Sequence, residues 1–350
     1  MADTDNAVVT AAGSADSADP APRRTPLRGA AGATRIITLL ALTVLAGLVF
    51  SLLGQGFLSD FTLYALGQAV AVSALVGLAQ AALLVLGRIN LAVGGVGVVV
   101  SATIGVLDNH SGIPLLWIVV IALVVGAVTG ALMAVVEIYS RLNSFVVTLA
   151  FLSVYQGGVL LITQAAHYPI TIPELLSLGT DQIGFSWLSP MLVVAVVVCA
   201  VLWVFYFRTV AGWRAQAVGA NERAAAASGV DVRRAVVQGY IISGLLSAVA
   251  AILVCAQLAD AAPTTGGDWL LLSFVGPLLA GVLLTGGTIS VWGILVGGLF
   301  YASIFSGFAV LNVPTYWLTL LQAAVLLLAL VLGQTSLVRR PRRPVPGGPR

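Results

Sequence analysis

The sequence predicts an all-α integral membrane protein, a polytopic bundle of about ten transmembrane helices with both termini in the cytoplasm. Three observations carry this. Of 350 residues, 59% are hydrophobic and 8% are charged, against about 25% charged in an ordinary soluble domain. The apolar residues fall in runs of about 18 or more, not in alternating or short amphipathic patterns, so lipid is the solvent they suit. The 16 basic residues are all arginines, and threading the runs across a membrane brings every one to the same side.

Residues 1–34 are rich in Ala, Asp, Pro and Arg without apolar periodicity and read as a disordered cytosolic tail. Ile36–Leu53 is the first span. Arg23, Arg24, Arg28 and Arg35 ahead of it resemble a signal-peptide n-region, but the run is too long and lacks a small-residue cleavage pattern, so it reads as an uncleaved anchor with its N-terminus inside. The other runs cover approximately 61–86, 90–107, 113–136, 145–164, 188–207, 236–258, 269–285, 291–310 and 315–333. Residues 336–350 form a basic cytosolic C-terminal tail.

This threading puts Arg88, Arg141, Arg208, Arg214, Arg223, Arg233, Arg234 and the C-terminal arginines inside, and Asp60, Asp108, Glu174, Asp181, Asp260 and Asp268 outside. A wrong span count would scatter the arginines over both faces. Trp117, Trp187, Trp269 and Trp317 then fall at the outer interface and Trp203, Trp213 and Trp292 at the inner one, where aromatic anchors concentrate. Two connections are too long for simple turns: an outer one at 167–188, with room for a short helix, and an inner one at 208–235.

Composition also excludes chemistries. Without lysine the chain cannot carry a standard phosphate-cradling GxxxxGK[ST] loop, so any ATP hydrolysis belongs to another chain. Cys199 and Cys255 sit in apolar runs as small hydrophobes. His110 and His167 fall in predicted loops without companion ligands, so no metal site and no catalytic constellation is expected. No Arg, Asp or Glu lies near mid-span; Glu137, at the inner end of the fourth run, comes nearest. That disfavours ion-coupled carriers, which commonly place ionisable groups there. Neutral polar groups remain, and Gln80, Asn90, Ser153 and Gln156 are the candidates for lining a solute path. Similar groups also serve as interhelical glue. The glycines at 94–97, 126, 130, 297 and 298 suit close helix approach, and Gly94-Gly95 could alternatively break the third span.

Within the inner connection, Asn221 can cap a helix whose first turn holds Glu222, Ala224–Ala227 has high helix propensity, and Gly229 suits a left-handed stop. This predicts a short capped helix outside the membrane. The stretch AVGANERAAAASGV resembles the cytosolic loop of permease subunits from the ribose/xylose-type branch of bacterial ABC importers, relatives of the branched-chain amino-acid permeases. GRINLAVGG (87–95), RLNSFVVTLAFLSVYQG (141–157) and LLTGGTIS (283–290) resemble further segments of that family, in family order. Asn90 stands where many members carry an acid, and the late glycine motif runs directly into Val291-Trp292-Gly293 without a second Gly-Gly-Arg-Gly element.

The resemblance implies a permease domain at 35–335 in the bacterial inner membrane. It would translocate a small polar solute, a monosaccharide or similar polyol, and not act as an enzyme. The short helix would be the coupling helix of the loop at 208–235, defined by Ala217, Gly219, Asn221, Glu222, Ala225 and Gly229. The implied partners are a cytosolic ABC ATPase, an extracytoplasmic solute-binding protein, a second copy of the chain and the lipid bilayer, with no nucleic acid. ATP and Mg belong to the ATPase, and this chain holds no cofactor. The rival reading is a stand-alone carrier or channel for a small neutral solute.

Overall fold

In lipid each backbone N–H and C=O must find its partner within the protein, so apolar runs close into helices. The computed structural model describes residues 27–327, apart from 55, 183, 315, 325 and 326. The elements in order are α1 (Leu27–Leu53), α2 (Asp60–Leu84), α3 (Val93–Ser111), α4 (Leu115–Ser140), α5 (Ser144–Thr163), β1 (Tyr168–Pro169), α6 (Pro173–Thr180), α7 (Pro190–Arg208), α8 (Val210–Ala220), α9 (Glu222–Ala227), α10 (Val232–Leu258), β2 (Asp260–Ala261), α11 (Trp269–Leu279) and α12 (Val291–Val310). Residues 316–324 are also helical. Among the described residues, seven helices are long and apolar enough to cross a membrane: α1 from Thr34, α2, α4, α5, α7, α10 and α12. The protein is therefore an all-α polytopic membrane protein.

The edges of several elements differ from the sequence expectation. Helix α1 opens at Leu27, inside the segment expected to be unstructured; residues 1–26, most of the tenth run beyond 324 and the basic tail lie outside the described residues. The eighth run, expected over 269–285, is helical only to Leu279. Pro277 removes one ladder hydrogen bond and crowds the carbonyl four residues back, and Gly281 turns left-handed at φ 76°. An 11-residue helix is about 16 Å long, half a bilayer core. The third run starts at Val93, not at residue 90, because 85–92 is irregular, with Gly87 at φ 73°. The break thus lies before Gly94-Gly95, which are helical. His110 falls in the last turn of α3, not in a loop.

Helix α2 is the axis of the core: Ala71, Ala74, Leu75, Val76, Ala79, Gln80, Ala81, Leu83 and Leu84 are all shielded from solvent. It packs against α7, α10, α11 and α12. Helices α4 and α10 approach closely through glycines. A Cβ on Gly130 would stand 2.3 Å from the Tyr240 carbonyl oxygen, and one on Gly244 only 2.0 Å from that of Gly126, which is small-residue packing of the membrane type. Gly97 likewise admits the Trp269 ring, where a Cβ would lie 2.6 Å from it. Trp269 is therefore a core residue and not the interface anchor its position suggested, whereas Trp117, Trp187, Trp213 and Trp317 are exposed.

The acidic loops gather at one end. There β1 pairs antiparallel with β2, His167 Nδ1 lies 2.7 Å from Asp260 Oδ2, and Asp108 accepts from the Thr171 amide and hydroxyl at 2.6 and 3.0 Å. Helix α6, the short helix for which the outer connection had room, docks onto α2 there through Gln68 Nε2 donating to the Gly179 carbonyl at 2.8 Å. The arginine-bearing loops and α8–α9 occupy the opposite end.

Candidate functional site

The segment joining α7 to α10 is helical almost throughout because each piece carries its own cap. Thr209 Oγ1 accepts from the Gly212 amide at 3.2 Å and opens α8. Asn221 Oδ1 accepts from the Ala224 amide at 3.0 Å and opens α9, Gly229 takes φ 81°, and Asp231 Oδ1 accepts from the Arg234 amide at 3.1 Å to open α10. The Asn221 cap and the Gly229 stop are as the sequence predicts. A second helix, α8, is not, and Ala217 and Gly219 belong to it instead of to the capped helix. Ala217, Asn221, Glu222 and Gly229 are exposed, while Ala225 is buried at 6% exposure and packs into this chain's own core.

Gly219 makes the closest approach. A Cβ there would sit 1.8 Å from the Val85 carbonyl oxygen and 2.7 Å from the Gly287 amide nitrogen. The Gly287 amide itself donates to Val85 at 2.9 Å, and a Cβ on Gly286 would meet Gly87 N at 2.6 Å and Gly219 O at 3.0 Å. Three backbones thus meet with no side chain between them: the end of α8, the turn 85–87 that ends α2, and the irregular stretch 280–290 after α11. Two of them are the glycine-bearing segments GRINLAVGG and LLTGGTIS.

The irregular segment that follows α2 lacks helical bonds of its own and borrows partners. The Ile89 amide donates to Ser144 Oγ at 3.3 Å and the Leu91 amide to Thr148 Oγ1 at 3.1 Å, both on α5. Asn90 donates through Nδ2 to Ser243 Oγ on α10 at 2.9 Å, while its Oδ1 accepts from the Ala92 amide at 2.9 Å. Arg88 points Nε at Glu137 Oε1 on α4, 2.5 Å away, and the other Glu137 oxygen accepts from the Tyr240 hydroxyl on α10. Arg88 Nη1 also lies 3.7 Å from Glu222 Oε2 on α9. Sequence reasoning did not assemble Arg88, Glu137, Tyr240, Ser243, Ser144 and Thr148. One signal was available: Glu137 is an acid inside an apolar run, and a buried carboxylate requires a partner.

The four candidate path residues do not come together within one chain. Gln80 is fully buried in α2, and neither of its amide atoms finds a hydrogen-bond partner. Asn90 is buried in the broken segment. Ser153 instead faces outward from α5, its hydroxyl 3.5 Å from the Leu149 carbonyl, and Gln156 is half-buried on the same helix. The reason is the 100° step: the buried stripe of α5 runs through Ser144, Val147, Thr148, Tyr155 and Val159, which turns Ser153 away.

A helical bundle with irregular segments between its helices and a capped helical loop seated on them suits a membrane transport protein. The comparisons give the family. The chain belongs to the permease-component family of branched-chain amino acid transport systems, whose model matches residues 61–330. It is 28% identical over 306 residues to the ribose import permease protein RbsC of Escherichia coli K12, covering 84% of this chain and 92% of that protein. It is 27% identical over 314 residues to the fructose import permease protein FrcC of Rhizobium meliloti, covering 88% and 86%. It is 27% identical over 275 residues to the autoinducer 2 import system permease protein LsrD of Escherichia coli SMS-3-5, covering 76% and 82%. No solved structure matches it. The protein is thus a multi-pass permease subunit of an importer in the inner membrane.

Proposed function

We propose that this permease carries a monosaccharide or similar small polyol into the cytoplasm, driven by a separate ABC ATPase that holds the ATP and Mg and fed by an extracytoplasmic binding protein. The observation that carries the reading is the seating of the end of α8 on the irregular segments 85–92 and 280–290 through Gly219, Gly87 and Gly286-Gly287. A rigid helical piece in backbone contact with irregular segments moves them when it moves, which is what a chain without an ATPase loop of its own requires. The names of the relatives, two of them sugar importers, support the cargo class, as does a set of path candidates made of neutral amides and hydroxyls.

In this reading ten spans, the tenth at 315–333, run with both termini and the loop at 208–235 in the cytoplasm, between an N-terminal tail at 1–34 and a basic tail at 336–350. Helix α9 with Asn221, Glu222 and Gly229 is the coupling helix, and Ala217 and Gly219 form its base. In this reading the working unit is a homodimer, and Ser153, on the outward side of α5, and half-buried Gln156 line the same path as Gln80 and Asn90 beside the second copy of the chain.

Reconstitution tests this. Proteoliposomes holding the permease with a cognate ABC ATPase and binding protein should take up labelled ribose or fructose only with ATP inside. A thiol reagent added to the ATPase-binding side should label Arg141→Cys and not Asp260→Cys. Uptake by the permease alone would establish the stand-alone carrier instead.

A further inference from the structure

Arg88 is placed where three structural systems meet. Its backbone belongs to the irregular segment 85–92. Its guanidinium is shared by two carboxylates of unequal standing. Toward Glu137 the pair is 2.5 Å long with side-chain exposures of 18% and 7%; toward Glu222 it is 3.7 Å long, and Glu222 is 55% exposed. The first cannot be parted without leaving a buried charge alone, and the Tyr240 hydroxyl holds the far oxygen of Glu137. The second is a solvent-screened contact, cheap to make and break.

Around this junction lies a cavity of about 300 Å³ whose lining includes Arg88, Glu137, Glu222, Arg141 and Arg233. A Glu222 that leaves Arg88 therefore has two further guanidiniums within the same cavity.

We propose that Arg88 is a positioning residue that ties α9 to the irregular segment 85–92 between α2 and α3. Locked to Glu137, it takes up the displacement of the coupling helix through Glu222 and passes it to residues 87–92, where Asn90 is held by Ser243 and the neighbouring amides by Ser144 and Thr148. That segment yields because side-chain hydroxyls, not a helical ladder, hold it. The inference rests on α9 being the element that meets the ATPase.

The test uses Glu222→Arg, which sets a like charge against Arg88, and Glu222→Gln, which removes the attraction; the half-exposed position tolerates both. The first readout needs the permease alone: the rate at which a water-soluble maleimide labels Ile89→Cys. An exposed pair of this kind supports a change of about fivefold, so Glu222→Arg should raise the rate by about that factor and Glu222→Gln by less. The second is solute delivered per ATP hydrolysed in the reconstituted complex, which should fall in the same order while the amount of ATPase that co-purifies stays constant. Unchanged labelling with Glu222→Arg would overturn the role of Arg88. Labelling that changes as stated while the wild-type permease binds no ATPase would leave the joint intact and overturn the coupling assignment on which it rests.

Discussion

Single atoms decide more here than residue types do. Gln80 carries an amide into the core of α2 with no partner for its nitrogen or its oxygen, and a buried polar group so placed costs about 1–3 kcal/mol. Methionine has nearly the same shape without that penalty. Gln80→Met should therefore raise the thermal unfolding midpoint of the detergent-solubilised protein while lowering solute uptake, the trade expected when an unsatisfied group is retained for cargo. A lowered midpoint would mean that the amide serves packing. The sequence showed that Gln80 was a polar group in an apolar run. It could not show whether the amide was satisfied, because that depends on which neighbours the surrounding helices bring.

At the scale of elements, the local punctuation was legible and the tertiary consequences were not. The Asn221 cap and the Gly229 stop were readable because a cap is a contact between residues a few positions apart. The interruption after Pro277 was passed over because Val282, Leu283 and Leu284 continue the apolar run, and hydropathy reports the surrounding solvent and not backbone geometry. The face that α9 turns inward was likewise invisible, and it matters for mutagenesis. Ala225→Leu should lower the stability of the permease itself by about 1–3 kcal/mol, since it overfills a buried site. Ala226→Trp, on the exposed side, should leave thermal unfolding unchanged and prevent the ATPase from co-eluting in size-exclusion chromatography. Normal co-elution of that variant would show that α9 docks by another face.

Over the whole molecule, the class was legible because composition is a global property that no local error disturbs. The pairings that knit the interior were not, since Arg88 with Glu137 and Gly219 with Val85 join positions far apart in sequence. The short reach of α11 has a further consequence for where the protein begins. The stretch after Leu279 is irregular and gains part of its cover from a helix outside the region that the family model matches. Arg35 on α1 donates to the Gly281 carbonyl at 3.3 Å, while Phe50 stacks edge-on against Phe308 of α12 and lies where a Cβ on Gly307 would stand. The first helix is thus cladding and not merely a tether. A form trimmed to residues 61–330 should aggregate on extraction, whereas one that loses only residues 1–26 should elute as a single sharp peak. The smallest autonomous unit expected of this protein extends beyond residues 61–330, the span the family model covers.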